Sequence, residues 1–273
     1  MARIAFGVEY VGTQYSGWQS QTHQTSAPAI QTVLQAAISS VANHPVNLVC
    51  AGRTDAGVHA AGQVLHCDVN VERTPYAWVF GCNSKLPKDV RVTWMQTVAA
   101  DFSARSSAVG RHYKYIIYNS RIRPGLLYEY MAWYHEPLDV EKMQQAADFW
   151  IGSHDFSSFR GAGCQSKSPI RNVKSITVER RGKLIIIDIM ANAFLYHMVR
   201  NMVGVLLAIG SSRRPVSWAQ QVLQAKCRTK AGITAVPEGL YLMDVLYPAS
   251  LQLPQQQSSL WFLSQEFFNN ELV

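Results

Sequence analysis

VNLVCAGRTDAGVHAAGQVLHCDV, residues 46–69, sets two apolar runs around a segment punctuated by glycine. Val46 to Cys50 and Gln63 to Val69 have the β-branched and apolar content of strands, and the polar stretch from Gly52 to Gly62 between them predicts a connecting loop. Toward the N-terminus, Ile30, Val33, Leu34, Ala37, Ile38 and Val41 recur at helical spacing, with Pro28 in the first turn and Ser26 as candidate cap. A polar loop holding Gly12 and Gly17 precedes that helix. Before it, Ile4, Phe6, Val8 and Tyr10 alternate as an opening strand. Toward the C-terminus, a short helix near Pro75 to Cys82 and a strand near Val90 to Val98 follow. The order is β-α-β-β-α-β, that of a ferredoxin-like or RRM-like lobe.

The second half repeats the theme. Strands are expected near Arg111 to Tyr118 and Tyr128 to Tyr134, then a helix from Leu138 to Ile151 capped by the Pro137 turn. Strands at Asn172 to Glu179 and Leu184 to Met190, helices at Ala193 to Ile209 and Ser217 to Lys226, and a strand at Leu240 to Tyr247 complete it. The fold class expected is therefore α+β: two RRM-like or ferredoxin-like lobes with largely antiparallel sheets and a central cleft. The lobes would span residues 1–104 and 105–248. A tail, residues 249–273, runs through a Gln-rich linker to Trp261, Phe262, Phe267 and Phe268, aromatics that should dock on a neighbouring surface.

With 273 residues and 48% hydrophobic composition the chain can bury a sizeable core. Lys and Arg number 25 against 18 Asp and Glu, a net charge of +7 that suits an anionic partner such as nucleic acid. The five cysteines are odd in number, widely spaced and without a C-x-x-C pair, so neither a disulfide framework nor a zinc site is expected. The first ten residues lack the apolar core of a signal peptide, and the most apolar later stretch, Phe194 to Ile209, is broken by His197, Arg200 and Asn201. A cytoplasmic protein with no membrane segment is expected.

Chemistry concentrates in the loop G52-R53-T54-D55-A56-G57-V58-H59-A60. Glycines let backbone approach a ligand closely, and a guanidinium favours the ionised form of a carboxylate beside it. Asp55 then qualifies as a nucleophile. Equally, Asp and Thr stabilise turns through side-chain to backbone hydrogen bonds, and composition alone leaves both readings open.

The nine residues GRTDAGVHA resemble the signature of the tRNA pseudouridine synthase I family. Resemblance continues through YVGTQYSGWQ (Tyr10 to Gln19), Asn83 to Pro87, FSARSSAVGRHYKY (Phe102 to Tyr115), Asp155 to Arg160, NAFLYHMVRNMVG (Asn192 to Gly204) and Glu238 to Leu242. It covers nearly everything before the tail. The resemblance implies an isomerase of uridines in the tRNA anticodon arm, working as a homodimer without cofactor or metal. It implies Asp55 as catalytic aspartate, Arg53 and Arg200 as guanidinium partners, and Tyr113 as the active-site tyrosine stacking on the target base. Leu240 would line the base pocket, with Thr54, His59 and Arg111 contacting substrate. The chain departs from the family at Val11, where an acidic residue is usual, and at Ser106, where an aromatic is.

Basic residues interleaved with tyrosines, including Arg105, Arg111, Lys114, Arg160, Arg171 and Lys174 with Tyr113, Tyr115 and Tyr118, supply candidate backbone contacts to RNA. Two other classes compete. A non-catalytic RNA-binding protein gains nothing from a carboxylate facing phosphates. In a metal-dependent nuclease, Asp55 and His59 would share a metal only on a helix, which Gly57 disfavours.

Overall fold

The computed structural model describes residues 1–19, 27–254 and 260. Ser26 and the aromatic tail lie outside the described residues. Elements in chain order are β1 (Ala2–Tyr10), α1 (Ile30–Ala42), β2 (Val49–Cys50), β3 (His59–Val69), α2 (Pro75–Asn83), β4 (Val90–Val98), β5 (Gly110–Asn119), β6 (Ala132–Tyr134), α3 (Val140–Asp148), β7 (Gly152–Asp155), β8 (Ile170–Arg181), β9 (Leu184–Ala191), α4 (Met198–Gly210), α5 (Trp218–Ala225) and β10 (Leu240–Leu246). This is a mixed α+β chain whose paired strands are mostly antiparallel. The chain forms two compact units. Of the described residues, one holds 1–19, 27–54, 59–108 and the segment from 242 to 254, the other 55–58 and 109–241.

In the first unit β1 lies between β3 and β4, antiparallel to both, with Phe6 opposite Leu65 and Met95. Period-2 alternation sends Ile4, Phe6 and Val8 inward, and Phe6 meets Trp78 of α2 edge-on, with ring centroids 5.8 Å apart. Ile30, Leu34, Ala37 and Ile38 bury one stripe of α1. The expected strand from Val46 shrinks to two residues, and β3 starts four residues before Gln63, at His59. Thr74 caps α2, its hydroxyl accepting the Ala77 amide at 3.2 Å.

In the second unit the sheet runs β5-β9-β8-β7, with β6 parallel to β5. Ile185, Ile187 and Ile189 of β9 with Ile176 and Val178 of β8 bury one face of it, and Met143, Ala146 and Ala147 are the buried stripe of α3. Three expectations shift. Asp139, rather than the Pro137 turn, caps α3, accepting the Lys142 amide at 3.0 Å. The strand expected from Tyr128 is confined to Ala132–Tyr134, and β7 was not anticipated, its GSHD lacking apolar alternation. The helix expected from Ala193 begins at Met198, because His197 takes a left-handed conformation with φ 60° and leaves residues 193–197 as a loop. That loop builds the site. Among the described residues no helix is long and apolar enough to cross a membrane.

Candidate active site

Asp55 belongs to the second unit. Its own carbonyl accepts the Val58 amide at 3.2 Å, closing a tight turn that passes through Gly57 at φ +78°. Only glycine suits that position: a side chain is strained at this φ, and an added Cβ would lie 2.8 Å from Pro237 Cγ. The turn offers the carboxylate to α4. Arg200 Nη1 donates to Asp55 Oδ2 at 3.1 Å, and His197 Nε2 lies 3.4 Å from the same oxygen. Both partners of the ion pair are largely buried, with side chains 15% and 14% exposed, so the attraction is screened less than at a surface.

The rest of Arg200 is fixed too. Nε donates to the Ala235 carbonyl at 2.8 Å, and the Arg200 carbonyl accepts the Ala235 amide at 3.1 Å. Residue 235 is held in turn by a closed polar network one helical residue on. Asn201, fully buried, donates from Nδ2 to the Phe159 carbonyl at 2.8 Å, and its Oδ1 accepts from Thr234 Oγ1 at 2.7 Å and from Arg228 Nη2 at 3.0 Å. Arg228 also donates to the Gly232 carbonyl at 3.0 Å. The network joins Asn201, the residue after Arg200, to Thr234, the residue before Ala235, so both ends of the Arg200–Ala235 contact are braced.

His197 caps the same helix and stacks on Tyr196, with centroids 3.9 Å apart. Burial pushes its imidazole below the ordinary histidine range; Asp55 pulls upward, and Arg200 and Arg228 push further down. At neutral pH the imidazole is therefore uncharged. Tyr196 is raised by burial and by the Asp55 charge.

Tyr113 on β5 is buried and packs edge-to-face on Phe194, at 5.0 Å and 82°. It joins the site through the loop that carries His197. Tyr115, two residues along the same face, donates from its hydroxyl to the Val236 carbonyl at 2.8 Å, and full burial raises its phenol far above the usual range. It braces the turn that leads into Leu240, itself 5% exposed at the start of β10. Arg111 is half-buried, Nη1 donating to the Asn192 carbonyl at 3.1 Å.

The flanks of the loop belong to the first unit. Thr54 Oγ1 and Tyr10 Oη share a buried hydrogen bond of 2.8 Å, and the Thr54 carbonyl accepts the Trp18 amide at 3.0 Å. His59 is 1% exposed, its Nδ1 accepting the Gly12 amide at 3.1 Å. Arg53 is exposed. Val11 donates its amide to the Asp89 carbonyl at 2.9 Å, and Ser106 is an exposed turn residue. Among the described residues no group of three or more His, Cys, Asp or Glu could hold a metal ion.

Sequence reading named Asp55 and Arg200 and missed their neighbours. His197 carries no signal as a lone histidine in an apolar run; its place shows only when the helix starts one residue later. Asn201 and Thr234 were hidden for the same reason, their role being made by tertiary contact.

A family model described as tRNA pseudouridine synthase matches residues 7–105 and 146–248. A protein of Coxiella burnetii (strain Dugway 5J108-111) named tRNA pseudouridine synthase A is 50% identical over 263 residues, 96% of this chain and 100% of its own. Proteins of the same name from Pseudomonas aeruginosa and Vibrio cholerae (strain ATCC 39541) are 49% and 51% identical over 97% and 96% of this chain, and 92% and 98% of their own. A solved H/ACA RNP bound to a substrate RNA aligns with 75% of this chain and 44% of its own, at 13% identity and a TM-score of 0.35, too distant to bear on the fold. Matched along nearly its whole length by relatives at half identity, and through the Asp55 loop by the family model, the chain belongs to the tRNA pseudouridine synthase family.

Proposed function

We propose that this protein converts uridine to pseudouridine in the anticodon stem-loop of tRNA, with Asp55 as the carboxylate that acts on the ribose. The observation that carries the reading is a carboxylate on a glycine-shaped turn, held at 3.1 Å by a guanidinium that is itself immobilised. The reaction breaks the bond from N1 to C1′, turns the base, and joins C5 to C1′. The C5 proton leaves to solvent, N1 gains a proton, and nothing is oxidised. Cleavage develops oxocarbenium character at C1′, the demand that leads glycosidases to place a carboxylate beside the anomeric carbon. Asp55 meets it by attack at C1′ or by taking the C2′ proton.

Arg200 and His197 orient the carboxylate, and an uncharged imidazole does not compete with Arg200 for its oxygen. Tyr113, seated on Phe194, and Leu240 form the apolar side of the base pocket, keeping uracil bound while water is excluded. Thr54 and His59, engaged by Tyr10 and Gly12, serve by holding the loop ends, and Arg53 and Arg111 face the RNA backbone. A stem nucleotide must be flipped out at a cost of about a few kcal/mol, which phosphate contacts offset.

In this reading each unit is an RRM-like lobe, the protein is cytoplasmic, and it acts as a homodimer on tRNA. The test is to incubate unmodified tRNA with the protein and map pseudouridine by carbodiimide adduct formation and primer extension. New stops confined to the anticodon arm support the reading; stops elsewhere, or none, overturn it.

A further inference from the structure

The loop after β7 carries positive charge that the catalytic centre does not use. Arg160 and Arg171 converge on Ser166. Arg160 Nη2 donates to the carbonyls of Cys164 and Ser166, both at 2.8 Å, and Arg171 Nη2 donates to the Ser166 hydroxyl at 2.6 Å. Arg171 Nη1 donates to the carbonyls of Ser168 and Ile170 at 3.0 and 2.6 Å. Arg111 approaches from β5: it donates to the Asn192 carbonyl, and Asn192 Oδ1 accepts the amide of Asn172, the residue after Arg171.

Among the described residues neither Arg160 nor Arg171 has a carboxylate within ion-pair distance. A guanidinium carries five N–H donors. Those of Arg160 on Nε and Nη1 have no acceptor among the described residues, and Arg171 Nε is buried without one. Burial first, and then the charges of Arg160 and Arg111 against the opposite pull of Cys164, lower Arg171 from the usual guanidinium range. Like charges gathered here destabilise the empty loop, and an anion taken up by the open Arg160 donors would relieve that repulsion, Arg171 Nε itself being closed off.

The loop is also fastened to the catalytic centre. The Gly161 amide donates to the Tyr196 carbonyl at 2.8 Å and the Tyr196 amide to Cys164 Sγ at 3.5 Å. Tyr196 immediately precedes and stacks on His197, which stands at Asp55. An anion held here would sit beside the nucleotide being isomerised. The planar fork of arginine matches phosphate oxygens, and RNA supplies a phosphate at every nucleotide.

We propose that Arg160 and Arg171, with Arg111, hold one backbone phosphate of the substrate RNA adjoining the nucleotide presented to Asp55. The proposal rests on the tRNA reading above. It is tested by measuring affinity for unmodified tRNA across a salt series for the wild type, Arg171→Gln, Arg160→Gln and Arg171→Lys. Each glutamine variant is expected to bind about tenfold more weakly at low salt and to flatten the slope of log K against log salt by about one, while the lysine variant keeps the wild-type slope. Anticodon-arm RNAs carrying a single neutral methylphosphonate at successive positions add the second readout. One position should weaken the wild type and leave Arg171→Gln unaffected.

Wild-type slopes in both glutamine variants, or methylphosphonate losses the same in Arg171→Gln as in the wild type at every position, would overturn the phosphate site. If Arg171→Gln fails to fold, Arg160→Gln decides on the same readouts. A wild type that binds and isomerises tRNA while the variants match it sinks this proposal alone. A wild type that binds no tRNA sinks the tRNA reading and this proposal with it.

Discussion

Arg200 and Asp55 stand 145 residues apart in the chain and 3.1 Å apart in space, and the same guanidinium is tied through its Nε to the Ala235 carbonyl at 2.8 Å. A guanidinium held at two points cannot follow a displaced carboxylate, so the pair acts as a fixed jig for Asp55. Arg200→Ala should lower the single-turnover rate by about 10² to 10³. Arg200→Lys, which keeps charge but loses the fork, should restore only part of it. Comparable rates for Arg200→Ala and the wild type would show that the pair does not orient Asp55.

The network behind Arg200 should matter through geometry alone. Thr234→Val removes the 2.7 Å hydrogen bond to Asn201 while keeping shape. The single-turnover rate should fall about five- to tenfold with tRNA affinity unchanged. An equal loss in affinity and rate would point to general loosening of the fold instead.

His197 sets an acid limit. Its pKa lies below the ordinary histidine value through burial first, with Arg200 and Arg228 adding to it against the pull of Asp55, so the folded protein keeps it neutral further into the acid range than a free histidine. Protonated, it donates to the same Asp55 oxygen as Arg200 and blunts the carboxylate. The wild-type rate should therefore drop on the acid side, and His197→Gln should move that limb to lower pH. A limb unmoved by the substitution would remove His197 from the rate profile.

Gly57→Ala tests the turn. A left-handed φ of +78° and a Cβ 2.8 Å from Pro237 Cγ force the loop to shift, and a displacement of about 1 Å at the reacting group can cost about 10² in rate. The variant should fold, since the strain is local, yet show that loss in single-turnover assays. Full activity would mean that the turn tolerates another path.

Asp188 bears on stability rather than chemistry. Burial opposes its ionisation, but hydrogen bonds from His112, at 2.7 Å, and from Lys114 outweigh that and hold the carboxyl below the usual range. Such a group stabilises the fold above its unfolded pKa and loses that contribution as pH falls through the folded one. Asp188→Asn should cost about 1 kcal/mol at pH 7 in urea unfolding. The gap from the wild type should begin to narrow only below about pH 4 and close as the pH falls through the lower folded value.

Much of this arrangement was legible from side-chain periodicity. The β-α-β-β-α-β order of the first half is present in the structure because each element carries its own pattern: Ile4, Phe6 and Val8 alternate, and Ile30, Leu34 and Ile38 keep helical spacing. Legibility failed where tertiary contact overrides local pattern. Phe194 and Leu195 read as helix by composition, yet the left-handed His197 ends that run and turns residues 193–197 into a loop. Asp55 was singled out by the resemblance of GRTDAGVHA to the family signature, because composition alone left a turn-stabilising role equally open. The Asn201, Arg228 and Thr234 network gave no signal, since polar residues scattered over 34 positions look like ordinary surface until the fold gathers them.

The most direct measurement is single-turnover release of tritium from C5-labelled uridine in unmodified tRNA, comparing the wild type with Asp55→Ala at low salt. Release by the wild type, with a loss on the order of 10⁴-fold or more in Asp55→Ala at unchanged tRNA affinity, is the predicted result. Equal release by both proteins would remove Asp55 from the chemistry. Binding by both with release by neither would leave an RNA-binding protein that does not isomerise uridine.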